Sequence, residues 1–158
     1  MRRILLATAI LVPMVLAPPA CKLASRNRVQ SINRMNKGIE LYKKNNATGA
    51  EKALQEAIQL DPTHAAAHAY LGQIYRKQNK LVDAEKAFTD AIDNMGDAPQ
   101  AEYWYQLGAI QQAEGDQDGV SMAERDGKYQ AAIASFQEAT KLDPNHYKAH
   151  FRMGMMYE

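Results

Sequence analysis

Internal self-similarity is the strongest constraint on this chain. Gly38, Gly72, Gly108 and Gly154 recur at intervals of 34, 36 and 46 residues. Ala50, Ala84 and Ala132 recur at 34 and 48, and so do Leu54, Phe88 and Phe136, and Ala57, Ala91 and Ala139. One 34-residue unit, with two residues added near Pro99 and twelve after Gly115, reproduces every interval, including the 82 from Pro62 to Pro144. A fixed period of this length belongs to repeat architectures in which each unit buries its apolar face only against its neighbours.

Each unit reads as two amphipathic helices. Ala50, Ala53, Leu54, Ala57 and Ile58 follow the i, i+3, i+4, i+7, i+8 spacing of one helical face, as do Ala84, Ala87, Phe88, Ala91 and Ile92. Ala132, Ser135, Phe136, Ala139 and Thr140 repeat it with more polar residues. In the first helices Leu71, Ile74 and Tyr75 mark one stripe, and Trp104 with Leu107 another. Glycine inside a helix costs about 1 kcal/mol against alanine, so four in register imply close helix crossings opposite small residues. The repeated Leu-Asp-Pro at 60–62 and 142–144 closes one unit and opens the next, because a residue before proline avoids helical geometry.

These units resemble tetratricopeptide repeats. Leu71, Gly72, Tyr75, Ala84, Phe88 and Ala91 carry the pattern in the second unit. Trp104, Leu107, Gly108, Ala132, Phe136, Ala139 and Pro144 carry it in the third, and Gly38, Leu41, Ala50, Leu54, Ala57 and Pro62 in the first. Lys37, Gln111 and Gly96 depart from it, standing where leucine, tyrosine and proline belong. The resemblance implies an all-α fold, a right-handed α-solenoid of helix-turn-helix units, whose first helices line a concave groove that takes a peptide segment or helix of a protein partner. The units are 31–64, 65–98 and 101–146, the last with a twelve-residue insertion at 117–128, and 147–158 starts a fourth. Ile32, Met35, Ile39 and Tyr42 then face the groove, with Ala69, Tyr70, Gln73, Arg76 and Lys77 from the second unit and Glu102, Tyr105, Ala109 and Gln112 from the third. Alternatively Ile32, Met35 and Ile39 pack under residues 22–30 as a cap. Family members that hold a C-terminal carboxylate use Lys, Asn and Arg where this chain has Met35, Ile39, Tyr70, Glu102 and Gln106, so that clamp is missing.

The N-terminus reads differently. Arg2 and Arg3, an apolar run from Ile4 to Ala17 and then Pro18, Pro19, Ala20 and Cys21 follow the order of an export signal. The run is 14 residues long and contains Pro13, against roughly 20 needed to span a bilayer. Ala20 and Cys21 resemble the lipobox of bacterial lipoproteins, which implies a signal at 1–20, lipidation of Cys21 and a tether at 21–30. The expected location is the cell envelope, either as an outer-membrane lipoprotein facing the periplasm or in the periplasm. An unmodified thiol is the alternative, and with one cysteine no intramolecular disulfide is available. Residues 22–52 carry a net charge of +6 and 53–158 one of −7; a basic segment beside a lipid suits anionic headgroups, and solvated helix faces are the more common cause of such a charge run.

The overall charge of +1 gives no case for nucleic acid. His64 with His68 and His146 with His150 are spaced for a metal, but both pairs follow the proline turn at the same place in the repeat, so inheritance explains them and no metal is assigned. The insertion, with Asp116, Asp118, Glu124 and Asp126, lacks alternating calcium ligands and reads as a lip or solvated loop. No nucleophile–base constellation, phosphate loop or dinucleotide fingerprint occurs, so neither enzyme activity nor a cofactor is expected. The expected function is a membrane-tethered scaffold for an envelope complex such as a pilus or secretion apparatus. The alternatives are a regulatory front of a longer enzyme and a soluble exported binding protein. Because repeat arrays end on a polar helix, the half-unit with an exposed edge of Met153, Met156 and Tyr157 reads as an array continuing beyond Glu158, the alternative being that this edge meets another chain.

Overall fold

The computed structural model describes residues 19–157, with side chains from Ser25 onward; most of the export signal and the Cys21 side chain lie outside the described residues. Seven helices are described: α1 (Pro19–Lys43), α2 (Ala47–Leu60), α3 (Ala65–Lys77), α4 (Leu81–Asp93), α5 (Ala101–Gly115), α6 (Met122–Leu142) and α7 (Tyr147–Met156). Each packs on the next in chain order, giving an all-α solenoid of three helix pairs and a seventh helix. The segment read as a tether is part of α1, whose helix runs unbroken through residues 21–30 into the first unit. It therefore cannot fold back over Ile32, Met35 and Ile39, which removes the cap alternative.

Short polar residues make the turns. Asn45 (φ 58°) and Asn79 (φ 57°) take left-handed backbone between the helices of the first two units, a conformation asparagine adopts more readily than other side-chain-bearing residues. Asn46 then caps α2 by accepting from the Gly49 amide at 2.9 Å. At the unit boundaries Asp61 and Asp143 adopt extended backbone before proline, and the Asp61 and Asp143 carboxylates accept from the Thr63 and Asn145 amides, each at 3.0 Å. One sequence motif thus yields one turn twice.

The glycine register has the expected cause. A Cβ built on Gly38 would sit 2.8 Å from Leu54, on Gly72 2.7 Å from Phe88, and on Gly108 2.8 Å from Phe136. Leu54, Phe88 and Phe136 are fully buried or nearly so, flanked by Ala50 and Ala57, Ala84 and Ala91, and Ala132 and Ala139. Each unit's second helix therefore drives one large side chain into a notch of its first helix, and that wedge centres the core.

The insertion is only half a loop. Residues 116–121 connect the helices, Ser121 and Glu124 form a reciprocal capping box, and 122–128 extend α6 by about two turns before the ordinary second-helix register. The extension returns Lys128 to α4 and α5, where its ammonium lies 3.0 Å from Glu85 Oε2 and also pairs with Glu114. Gln111 donates to Glu85 at 3.0 Å and accepts from the Ser135 hydroxyl at 2.8 Å, so its departure from the repeat pattern serves this polar network. Burial pushes the Glu114 carboxyl above its ordinary range. Burial acts the same way on Glu85, but hydrogen bonds from Lys128 and Gln111 outweigh it and hold that carboxyl low.

The histidine pairs are structural. His68 and His150 each donate from Nε2 to a carbonyl six residues back, Pro62 at 2.8 Å and Pro144 at 3.1 Å. His146 Nδ1 accepts from the Ala149 amide at 3.3 Å. His64 is buried, with Nδ1 2.6 Å from Ser31 Oγ, whose own proton goes to the Ala57 carbonyl at 2.8 Å. The imidazole is therefore the donor to Ser31, and this contact bolts α1 to the first unit boundary. Among the described residues, no three His, Cys, Asp or Glu gather as a metal site.

His64 supplies a pH prediction. Burial, reinforced by the Arg28 charge, pushes it below its usual 6.5. A histidine depressed in the folded state binds its proton more weakly there than in the unfolded chain, so stability is retained above pH 6.5 and lost as pH falls below it. Urea midpoints should decline from pH 7 to pH 5, and His64→Gln should flatten that decline; an unchanged slope would refute the assignment.

Candidate partner-binding groove

Equivalent positions on α1, α3, α5 and α7 fall 34, 36 and 46 residues apart, so the first helices present matching faces side by side. On α1, Ile32 is 39% exposed and Ile39 is half-buried. Met35 and Tyr42 are half-buried against the Leu54–Leu71–Ile74 cluster. Lys77 Nζ lies 4.5 Å from the centre of the Tyr42 ring, a cation–π contact that joins the first two units. On α3, Arg76 is exposed, Gln73 half-buried, and Tyr70 packs half-buried on the same cluster as Met35.

Ala69 departs from expectation. It is 3% exposed and sits within the core cluster of Leu81, Phe88, Leu107 and Ile110. The position faces the groove in register, but a single methyl does not reach past its larger neighbours, so Ala69 is core and not groove lining.

The third unit's residues bind to α7. Tyr105 packs at a tilt against Phe136 and His146, with centroids 5.8 and 4.9 Å apart. Arg152 donates to Gln112 at 2.7 Å. His146 Nε2 is 3.5 Å from Glu102, which also accepts from Gln106, and Ala109 packs on the Ala132–Phe136–Ala139 cluster. Around Tyr105, the side chains of Tyr147, Lys148, Phe151, Arg152 and Met155 line an open pocket of about 420 Å³. Those five α7 residues lie outside the groove set read from sequence. The register held the signal: Lys148, Phe151 and Met155 each follow Glu102, Tyr105 and Ala109 by 46. Met153 and Met156, expected on the exposed edge, instead pack half-buried on the third unit's core.

The groove is thus apolar at α1, basic at Arg76 and Lys77, and aromatic with two cations at α7. Its polar groups are spaced along a surface, which suits recognition of a chain segment.

An all-helical solenoid with an open groove along its first helices defines a docking scaffold. A tetratricopeptide repeat profile matches residues 35–102 and 123–158, passing over the interval that holds the inserted loop. The chain belongs to the tetratricopeptide repeat family, and its place is that of a protein-interaction module. Among solved structures it is similar to the Arabidopsis OM64 TPR domain (TM-score 0.69, 20% identity, covering 83% of this chain and 97% of that one). It is also similar to the first TPR of Spaghetti (RPAP3) bound to the HSP90 peptide SRMEEVD (0.68, 15%, 82% and 92%). The second TPR domain of human RPAP3 in complex with the HSP70 peptide SGPTIEEVD gives 0.65, 19%, 85% and 98%. At these identities the likeness is one of fold. No curated protein matches the sequence significantly.

Proposed function

We propose that this protein is a scaffold of the bacterial cell envelope that is tethered through lipid on Cys21 and holds a segment of a partner protein in its concave groove. The observation that carries the docking role is the pocket around Tyr105, where Tyr147, Lys148, Phe151 and Met155 are exposed beside a half-buried Arg152. Exposed apolar surface bordered by charge marks an interaction site, and the adaptable methionine suits an irregular apolar segment. Lys148 and Arg152 beside these rings favour a segment carrying both acidic and apolar residues. The EEVD tails bound by the two RPAP3 domains are a poor fit, because Met35, Ile39, Tyr70, Glu102 and Gln106 occupy the clamp positions. The lipid tether rests on the order of Arg2, Arg3, the apolar run and Ala20-Cys21. A tether joined to a docking groove suits the assembly of an envelope complex such as a pilus or secretion apparatus.

Peptides selected from a random display library on the purified chain should be enriched in acidic and aromatic or aliphatic residues. Tyr105→Ala should weaken them at least tenfold; peptides that bind this variant as well as the parent would remove the groove assignment. Growth with a labelled fatty acid should label the parent and not Cys21→Ala. Unlabelled parent protein that stays in the soluble periplasmic fraction would remove the tether.

A further inference from the structure

The inserted segment opens a pocket between the second helices α4 and α6. Val82 and Glu85 of α4, Glu114 of α5, Val120 of the connection, and Gly127 and Lys128 of α6 line a volume of about 550 Å³, which shares no residue with the groove. Its floor is under-satisfied. Glu114 is 5% exposed; its Oε1 has no hydrogen-bond partner, and its Oε2 meets only the Lys128 ammonium. Glu85 and Glu124 also line the pocket, so three carboxylates stand there against one ammonium. The neighbouring cation, Arg125, is engaged by the Gly115 carbonyl at 3.1 Å. A buried carboxylate without full compensation is costly, and that desolvation is what holds Glu114 above its ordinary range.

Gly127 is an independent sign of an occupant. Glycine inside a helix costs stability, and at Gly38, Gly72 and Gly108 an opposing side chain accounts for it. Gly127 lies inside α6, yet a Cβ there would meet nothing within 4 Å. Its missing side chain leaves room in the pocket beside Lys128. The walls say what fits. Val82 is 75% exposed, and Val120 and Ala131 are half-buried beside it, so the occupant carries its positive charge on an apolar stem. A metal ion is a poor candidate, because among the described residues no three His, Cys, Asp or Glu gather to hold one. A guanidinium suits the floor better, since its planar set of donors can serve two carboxylates at once, and an arginine stem packs along apolar surface.

We infer that this pocket is a second docking site, which seats an arginine side chain of a partner protein with its guanidinium at Glu85 and Glu114 and its stem along Val82, Val120 and Ala131. The probe is the capped peptide Ala-Leu-Arg-Leu-Ala, labelled for fluorescence anisotropy against the full chain. It should bind at least tenfold more tightly than the same peptide with citrulline, which keeps the shape and lacks the charge. Gly127→Leu should fill the pocket and weaken the arginine peptide at least tenfold. That variant should also raise the urea midpoint, because its Cβ enters open space and leucine favours helix over glycine. Glu114→Gln should weaken the peptide to a similar extent, and Tyr105→Ala should leave it unchanged, separating this pocket from the groove. Absence of binding, equal binding of the citrulline peptide, or equal binding to Gly127→Leu would overturn the inference. Agmatine binding as tightly as the peptide would also overturn it, by giving the pocket to a free small amine. So would a dimer in sedimentation velocity that Gly127→Leu abolishes, by giving it to a second copy.

Discussion

Phe88→Ala is expected to lower the unfolding free energy by about 3–5 kcal/mol, the range for deleting a buried aromatic side chain. The upper part of that range applies, because the site cannot collapse. Phe88 is fully buried, its ring lies against the bare backbone of Gly72, and its neighbours Ala84, Ala91 and Ala69 have no length to move inward. Domains of this size are stable by only about 5–15 kcal/mol, so the loss is a large fraction of the whole. Position adds a second effect. In an array held by contacts between neighbours, the Phe88 cluster joins α3 and α4 to Leu107 and Ile110 of α5. Weakening it uncouples the first unit from the third. Urea unfolding followed by circular dichroism and by Trp104 fluorescence should give one coincident transition in the parent and two separated ones in the variant. Phe88→Leu, which places in the second unit what Leu54 places in the first, should cost less than about 1.5 kcal/mol. A Phe88→Ala loss under 1 kcal/mol would show that the notch is not the centre of the core.

The glycine, alanine and aromatic register was legible because each wedge is local to one unit and repeats with the sequence period. The Leu-Asp-Pro turns were legible for the same reason. Ala69 was misplaced because register fixes which way a residue points and not whether neighbours bury it. The α7 half of the groove was missed although Lys148, Phe151 and Met155 stand in register, because 147–158 was read only as the start of a further unit and its groove-facing side was left unassigned. The inserted segment was read as loop, yet Ser121 and Glu124 already formed a capping-box sequence. Glu85, Glu114 and Lys128 were beyond reach. Their meeting depends on the angle at which two extra turns of α6 leave residues 116–121, and no periodic signal encodes that.

That ion cluster makes the second large prediction, Lys128→Met. Lys128 stands between two carboxylates, and the Glu114 side chain is only 6% exposed. Breaking a buried pair by removing one partner costs about 3–5 kcal/mol; with the Lys128 side chain 37% exposed, about 2–3 kcal/mol at pH 8 is expected. The cost should depend steeply on pH. Burial and the neighbouring Glu85 already raise Glu114 above its ordinary 4.5, and Lys128 is the main group opposing them. Without the ammonium, two carboxylates share the site and Glu114 moves further up. A carboxyl raised in the folded state binds its proton more tightly there than in the unfolded chain. Stability is then retained below pH 4.5 and lost as pH rises through the folded value. Lys128→Met should therefore approach the parent at pH 4 to 5 and fall away from it towards pH 8. Adding Glu114→Gln should restore most of the loss at pH 8, since the amide carries no charge to desolvate. An equal deficit at every pH would mean that Lys128 contributes through the packing of its aliphatic stem and not through its charge.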